Sequence, residues 1–119
     1  MEILEQSLEE ASQHIRCGEI TSQALVSACL QKIRDTQDSG CFLHVSDASA
    51  IQAATESDQR HKNQAQKSTL DGVPIGVKDI FITQDAPTTC ASRLLDGYIP
   101  PYDSTIVAKL RQAGAIILG

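Results

Sequence analysis

The chain has 119 residues, of which 41% are hydrophobic and 21% charged, and carries a formal net charge of −5; that length suits about one ordinary domain and is short for a self-contained multi-layer enzyme. The balance is that of a folding globular chain rather than a disordered tail, and no apolar run approaches the roughly 18–20 residues of a membrane span. Residues 1–60 hold ten acidic side chains against four basic, while residues 61–119 hold five against six, so the acidic first half repels phosphate and no direct nucleic-acid binding is expected from this segment.

In chain order, Leu4, Leu8, Ala11 and Ile15 share one face of an amphipathic helix, with Gly18 placed to end it. Thr21 caps a second helix with the stripe Leu25, Val26, Cys29, Leu30 and Ile33. Cys41 to Val45 is a short apolar run bounded by Ser39-Gly40 and Ser46-Asp47, which predicts a strand. Asp47 then suits an N-cap, and from Ala48 to about Gln66 good helix formers carry a thin apolar stripe of Ile51 and Ala54, a half-exposed helix.

All four prolines and four of the seven glycines fall between Asp71 and Gly114. Val73 to Ile82 is β-rich, with Val73, Ile75 and Val77 on one face by period two and Pro74, Gly76 and Lys78 on the other. Residues 83–103 lack periodicity and contain Pro87, Gly97, Pro100 and Pro101, a long irregular connection of the kind that often carries function. Asp103 or Ser104 caps a helix that turns Ile106, Val107, Leu110 and Ala113 inward and closes at Gly114, and Ala115 to Leu118 is a final apolar strand needing neighbours on both faces. That need points to the N-terminal part of something longer. Met1 to Glu10, with four glutamates and no Lys or Arg, is the reverse of a secretory or transit signal, so a cytoplasmic setting is expected.

Lys78 carries the most chemical information, because it interrupts a stretch that otherwise reads as core and has proline and glycine as same-face neighbours. A lysine there is poorly solvated, which disfavours the ammonium and suits a base, with Gly76 leaving room beside it. The plainer alternative is an ion pair with Asp79 or a lysine snorkelling from an edge. Cys17, Cys41, Cys90 and Cys29 form no C-x-x-C pair and are expected to be reduced and mostly buried, Cys90 included. His14, His44 and His61 have no second ligand at metal spacing, so no metal site is expected. Neither phosphate-loop pattern is present. Among the hydroxyls, Ser104 reads as a helix cap, and Thr88, Thr89 and Ser92 as turn residues; neither these nor Ser68 sits on a nucleophile elbow.

The run Leu70-Asp71-Gly72-Val73-Pro74-Ile75-Gly76-Val77-Lys78-Asp79 resembles the lysine-bearing strand of the amidase signature family. Thr88 to Ser92, Gly97 to Thr105 and Ala113 to Gly119 resemble the segments that follow it in one branch, the A subunits of glutamyl-tRNA(Gln) amidotransferase. The resemblance implies an α/β fold: a helical pair over residues 1–40, then over residues 41–119 the opening strands and helices of a mixed sheet, together the N-terminal part of a single amidase domain. It also implies a Ser, cis-Ser, Lys arrangement in which Lys78 stands in the lysine's place and relays a proton to a nucleophilic serine. Both family serines lie in a Gly/Ser-rich stretch with no counterpart here, so residues 1–119 alone are expected to be inactive. The whole family protein is expected to hydrolyse glutamine, with a B subunit using the ammonia, ATP and Mg to amidate Glu-tRNA(Gln), and a small C subunit in bacterial-type assemblies. No cofactor is expected on this segment and no membrane partner. Two other readings stay open, a piece of a stand-alone amidase and a short non-catalytic interaction protein; the latter would leave residues 115–118 as an exposed apolar strand.

Overall fold

The computed structural model of the chain describes residues 2–119. Helix α1, Leu8–Cys17, starts at Ser7, whose hydroxyl accepts from the Glu10 amide while the Glu10 carboxylate accepts from the Ser7 amide, a reciprocal capping box. It ends at Gly18, as expected, but Leu4 precedes the helix and Leu8 is exposed; Ala11 and Ile15 carry its inner face. Helix α2, Ser22–Asp35, is capped by Thr21 and buries Leu25, Val26 and Leu30. A single 3-10 turn, Gln37–Ser39, leads to Gly40.

Residues 41–45 form no strand. Phe42 and Val45 pack against the core, but the tie to the sheet is a single backbone bond at the end of the run, from the Ser46 amide to the Leu118 carbonyl at 2.7 Å. An isolated bond leaves no ladder, so the run stays extended coil. Helix α3, Asp47–Lys62, has Ser46 rather than Asp47 at its N-cap, and it stops short of Gln66 at Asn63. Its buried positions are Ala50, Ala54 and Ser57, the narrow contact the sequence suggests.

Strands β1, Pro74–Ile75, and β2, Ile116–Ile117, pair in parallel, Pro74 beside Ile116 and Ile75 beside Ile117. Flanking backbone bonds, Gly72 to Gly114, Ile116 to Val73, Leu118 to Ile75 and Val77 to Gly119, extend the contact on both sides. The connection is the long loop 76–104 with a 3-10 turn at Arg93–Leu95, then helix α4, Thr105–Gln112, capped by the Ser104 hydroxyl. Val107 is fully buried, whereas Ile106 points outward, contrary to the expected inner stripe.

One core cluster joins Val26 and Leu30 of α2, Ala50 and Ala54 of α3, and Ile116 and Leu118. A second joins Ala11 and Ile15 of α1, Leu25 of α2, and Val73. The final apolar run is therefore covered: Ala115, Ile116 and Leu118 are buried, and the exposed strand expected of a short interaction protein is not found.

Beneath the sheet entrance lies a polar junction. The Asp71 carboxylate is fully buried and takes both arms of Arg60 from α3, at 2.8 and 2.7 Å, together with the Lys67 amide at 2.8 Å. Burial alone raises a carboxyl, but the Arg60 hydrogen bonds and the Lys67 amide outweigh it and hold Asp71 below the ordinary carboxylate range. The Ser22 hydroxyl donates to the Gly72 carbonyl at 2.6 Å and the Ser12 hydroxyl to Thr69 at 2.5 Å, which tie α2 and α1 to the same loop. That loop feeds β1, and its fixed exit sets where the following residues go.

Candidate active site

An open cleft of about 850 Å³ lies beyond the carboxyl ends of β1 and β2. Its walls come from residues 40–46, from the turn that leaves β1, and from the loop 83–97. Ligands of parallel α/β sheets bind at this end of the strands, because the loops that leave the strands converge there.

Lys78 lines this cleft, three residues past Ile75, the last residue of β1. Its backbone is tied on both sides: the Val77 amide donates to Gly119 at 2.9 Å and the Phe81 amide to the Lys78 carbonyl at 3.1 Å. The expectation of a strand lysine shut away from water is corrected, since β1 is only two residues long and Lys78 is exposed in the turn beyond it. Pairing runs out after Val77 and the chain turns at Asp79-Ile80, which carries Lys78 off the sheet and into the cleft. Gly76 is exposed and lines the same cleft, where a Cβ would stand 3.3 Å from the Phe42 ring.

The alternative ion pair with Asp79 is absent: among the described residues no carboxylate lies within salt-bridge reach of Lys78. Asp79 instead faces the loop across the cleft. One carboxylate oxygen accepts from the Thr89 amide at 2.8 Å, the other from the Thr89 hydroxyl, and the Asp79 carbonyl accepts from the Cys90 amide at 2.9 Å. Partial burial pushes the Asp79 carboxyl up, but the Thr89 hydroxyl and amide and the Ala91 amide together hold it below its ordinary value. The loop so held is bent hard, with Cys90 at φ 50° and Ala91 at φ 57°, two consecutive side-chain-bearing residues in left-handed backbone.

Ser104, Ser68, Thr88, His14 and His61 have structural partners. Ser104 caps α4, Ser68 donates to the Ala113 carbonyl at 2.7 Å, and the buried Thr88 hydroxyl accepts from the Thr83 amide at 3.3 Å. Ser92 does not line the cleft. His14 bonds Gln6 at 2.6 Å and His61 the Asp71 carbonyl at 3.0 Å, while His44 lines the cleft. Among the described residues no three His, Cys, Asp or Glu side chains converge as metal ligands would. The cysteines are more open than expected: Cys17, Cys41 and Cys90 are exposed and only Cys29 is half-buried, where burial pushes its thiol pKa up. Each exposed thiol sits beside a break in regular structure, Cys17 before Gly18, Cys41 after Gly40 and Cys90 in the left-handed turn.

The site as it stands offers an amine in a cleft, on a turn fastened to a hydroxyl-rich loop, and among the described residues no hydrogen bond joins the amine to a hydroxyl or thiol. Sequence reasoning missed Asp79 and Phe42. Neither left a local trace: the Asp79 side chain meets Thr89 ten residues on, and the Phe42 ring meets Gly76 from a distant part of the chain.

The Amidase family profile matches residues 24–119. The chain is 44% identical over 117 residues to the mitochondrial A subunit of glutamyl-tRNA(Gln) amidotransferase from Homo sapiens, a match covering 98% of this chain and 22% of that protein. It is 45% identical over 119 residues to the A subunit of glutamyl-tRNA(Gln) amidotransferase from Anaeromyxobacter sp. (strain K), covering 99% of this chain and 24% of that one. The fold is similar to that of the native peptide amidase from Stenotrophomonas maltophilia, with a TM-score of 0.88 and 28% identity over 97% of this chain and 24% of that chain. It is also similar to fatty acid amide hydrolase, TM-score 0.85 at 21% identity, covering 98% and 21% of the two chains. The chain thus spans about a quarter of the length of the proteins it matches.

Proposed function

From the premise that this chain belongs to the amidase family, with an α/β amidase-signature fold, we propose that it is the lysine-bearing N-terminal part of a glutamyl-tRNA(Gln) amidotransferase A subunit, the glutaminase of that assembly. The observation that carries the reading is Lys78, held on the turn beyond a parallel strand, free of any carboxylate and open to the cleft. The 40–45% identity to A subunits over nearly the whole chain favours this branch over a stand-alone amidase.

In the proposed reaction the Lys78 amine accepts a proton, through an intervening serine, from the serine that attacks the glutamine side-chain amide and returns it to the amide nitrogen, so that the C–N bond breaks, ammonia leaves and a glutamyl ester of the serine remains, which water then hydrolyses to glutamate. Both serines belong to the part of the domain outside these 119 residues, so the segment supplies a base without a nucleophile or an oxyanion site. Residues 1–119 alone should release no ammonia from glutamine. In the assembly a B subunit would consume the ammonia with ATP and Mg to convert Glu-tRNA(Gln) to Gln-tRNA(Gln), a ligase step of protein biosynthesis, with a C subunit in bacterial-type complexes. No cofactor is assigned to this segment, and a cytoplasmic setting completes the reading; no described helix is long and apolar enough to cross a membrane.

The test is Lys78→Ala in the full-length protein that carries the segment. General-base assistance is worth on the order of 10²–10⁴-fold in rate, so glutamine hydrolysis should fall by at least that factor, and glutamine-dependent amidation with it, while the fold is kept. A glutaminase rate near that of the parent would remove Lys78 from the mechanism. Ammonia released by residues 1–119 on their own would overturn the claim that the segment is inactive.

A further inference from the structure

We infer that Asp79 is a positioning residue for Lys78, fixing where the amine stands by fastening the 88–92 turn onto the residue next to it. The inference rests on the reading of Lys78 as the base. A carboxylate beside a lysine would ordinarily pair with it, and here it does not. Both oxygens are given to Thr89, whose amide and hydroxyl each donate, and the neighbouring Cys90 amide donates to the Asp79 carbonyl.

The turn it holds does not hold itself. Cys90 and Ala91 both lie in left-handed backbone, which side-chain-bearing residues leave unless their surroundings over-determine it. The left-handed bend brings the turn's amides to one side, and a carboxylate, acceptor on both oxygens, is the side chain that can take them together with the Thr89 hydroxyl. An asparagine of the same shape would present a donor to one of those donors. Lys78 therefore sits between two fixed points: its carbonyl takes the Phe81 amide, and its neighbour is clamped to the opposite wall of the cleft. Asp79 spends its charge on the wall and leaves the amine unpaired for proton transfer.

The test is a cycle of Asp79→Asn, Thr89→Val and the double variant in the full-length protein, with Lys78→Ala beside it. Each single change should lower kcat for glutamine hydrolysis at least tenfold with KM within twofold. The double should be no worse than the poorer single, because both remove the same fastening. Additive losses, or a kcat unmoved by Asp79→Asn, would overturn the inference. If Lys78→Ala keeps its rate, the reading of the lysine fails instead, so the two failures are distinguishable. A second measurement on the 119-residue chain guards against simple misfolding: amide hydrogen exchange at Thr89 and Cys90 should quicken at least tenfold in Asp79→Asn while α2 and α3 stay protected. Unchanged exchange there would also refute the fastening.

Discussion

Arg60 and Asp71 show how much one buried pair decides. The Asp71 side chain has no exposure and that of Arg60 keeps 22%, so the two ends of the pair are not equivalent. Removing Arg60 strands a carboxylate in the interior, which costs about 3–5 kcal/mol; removing Asp71 leaves a guanidinium that can turn to water, which costs less. Arg60→Met should therefore destabilise more than Asp71→Asn in urea denaturation at pH 7. In the parent, Asp71 titrates below its ordinary value of 3.8, so its contribution is complete above that value and is lost as pH falls through the lower, folded one. In Arg60→Met the guanidinium no longer offsets burial, although the Lys67 amide still favours the carboxylate, so the folded value rises relative to the parent and the deficit should shrink as the pH is taken from 7 towards 4; a deficit independent of pH would show that Asp71 is not the group involved. At Ala91 the sign is reversed. Left-handed backbone costs an alanine about 1–2 kcal/mol, and glycine's extra freedom in the unfolded chain costs about 0.4–1 kcal/mol. Ala91→Gly should thus stabilise by roughly 0.5–1 kcal/mol, and a loss of stability would mean that the Ala91 methyl makes a contact worth more than the strain.

At the scale of elements, helix ends separate from strands. Gly18 and Gly114 both have positive φ, 77° and 88°, yet nothing lies within 4 Å of a Cβ placed at Gly18, while one at Gly114 would stand 2.6 Å from the Asp71 carboxylate. Gly18→Ala should cost about 1 kcal/mol, the strain alone. Gly114→Ala adds overpacking against a buried ion pair and should cost about 2–5 kcal/mol; equal losses in thermal unfolding would refute the close approach of the α4–β2 turn to Asp71. The same contrast explains what could be read in advance. Ser104, Thr21 and Gly18 act through residues three or four away, so these three caps and the four helices were legible, whereas Ser7 was not foreseen, Asp47 stood in for Ser46, and α3 was overextended past Lys62. A strand needs a partner that periodicity does not name. Cys41 to Val45 has the short apolar run without the ladder, and the β-rich run from Val73 finds one partner strand only as far as Val77. For that reason Lys78 was expected within a strand and shut from water, whereas it is exposed beyond the strand's end. The role of Asp79 was hidden altogether, because its partners are ten residues away across an irregular loop.

Across the whole molecule stability is unevenly spread. Both core clusters draw on α2, through Val26 and Leu30 in one and Leu25 in the other, and they close over α1, α3, Val73 and β2. Between Gly76 and Gly114 the buried apolar side chains among the described residues reduce to Ala86, Pro100 and Val107, while Ile80, Leu94, Tyr98, Ile99, Tyr102 and Ile106 are all exposed, Leu94 at 96%. Segments with few buried apolar contacts open locally at less than the global free energy. Native-state hydrogen exchange should therefore find the slowest amides in α2 and α3 and much faster ones through residues 80–103. Leu30, 2% exposed at the centre of the larger cluster, provides the discriminating substitution: Leu30→Ala should lower global stability by about 2–5 kcal/mol and speed exchange in α2 and α3 to match, yet leave residues 80–103 nearly unchanged, since those open without unfolding the core. Uniform acceleration along the chain would mean a single cooperative unit. The division bears on function, because Lys78 lies at the seam: its turn is anchored to β2 through Val77 on the stable side and to the 88–92 loop through Asp79 on the other. An amine placed there is held on one side by the core and on the other by the segment with the fewest buried apolar side chains, so opening of residues 80–103 would free the Asp79 side of the turn while the Val77 side stays paired.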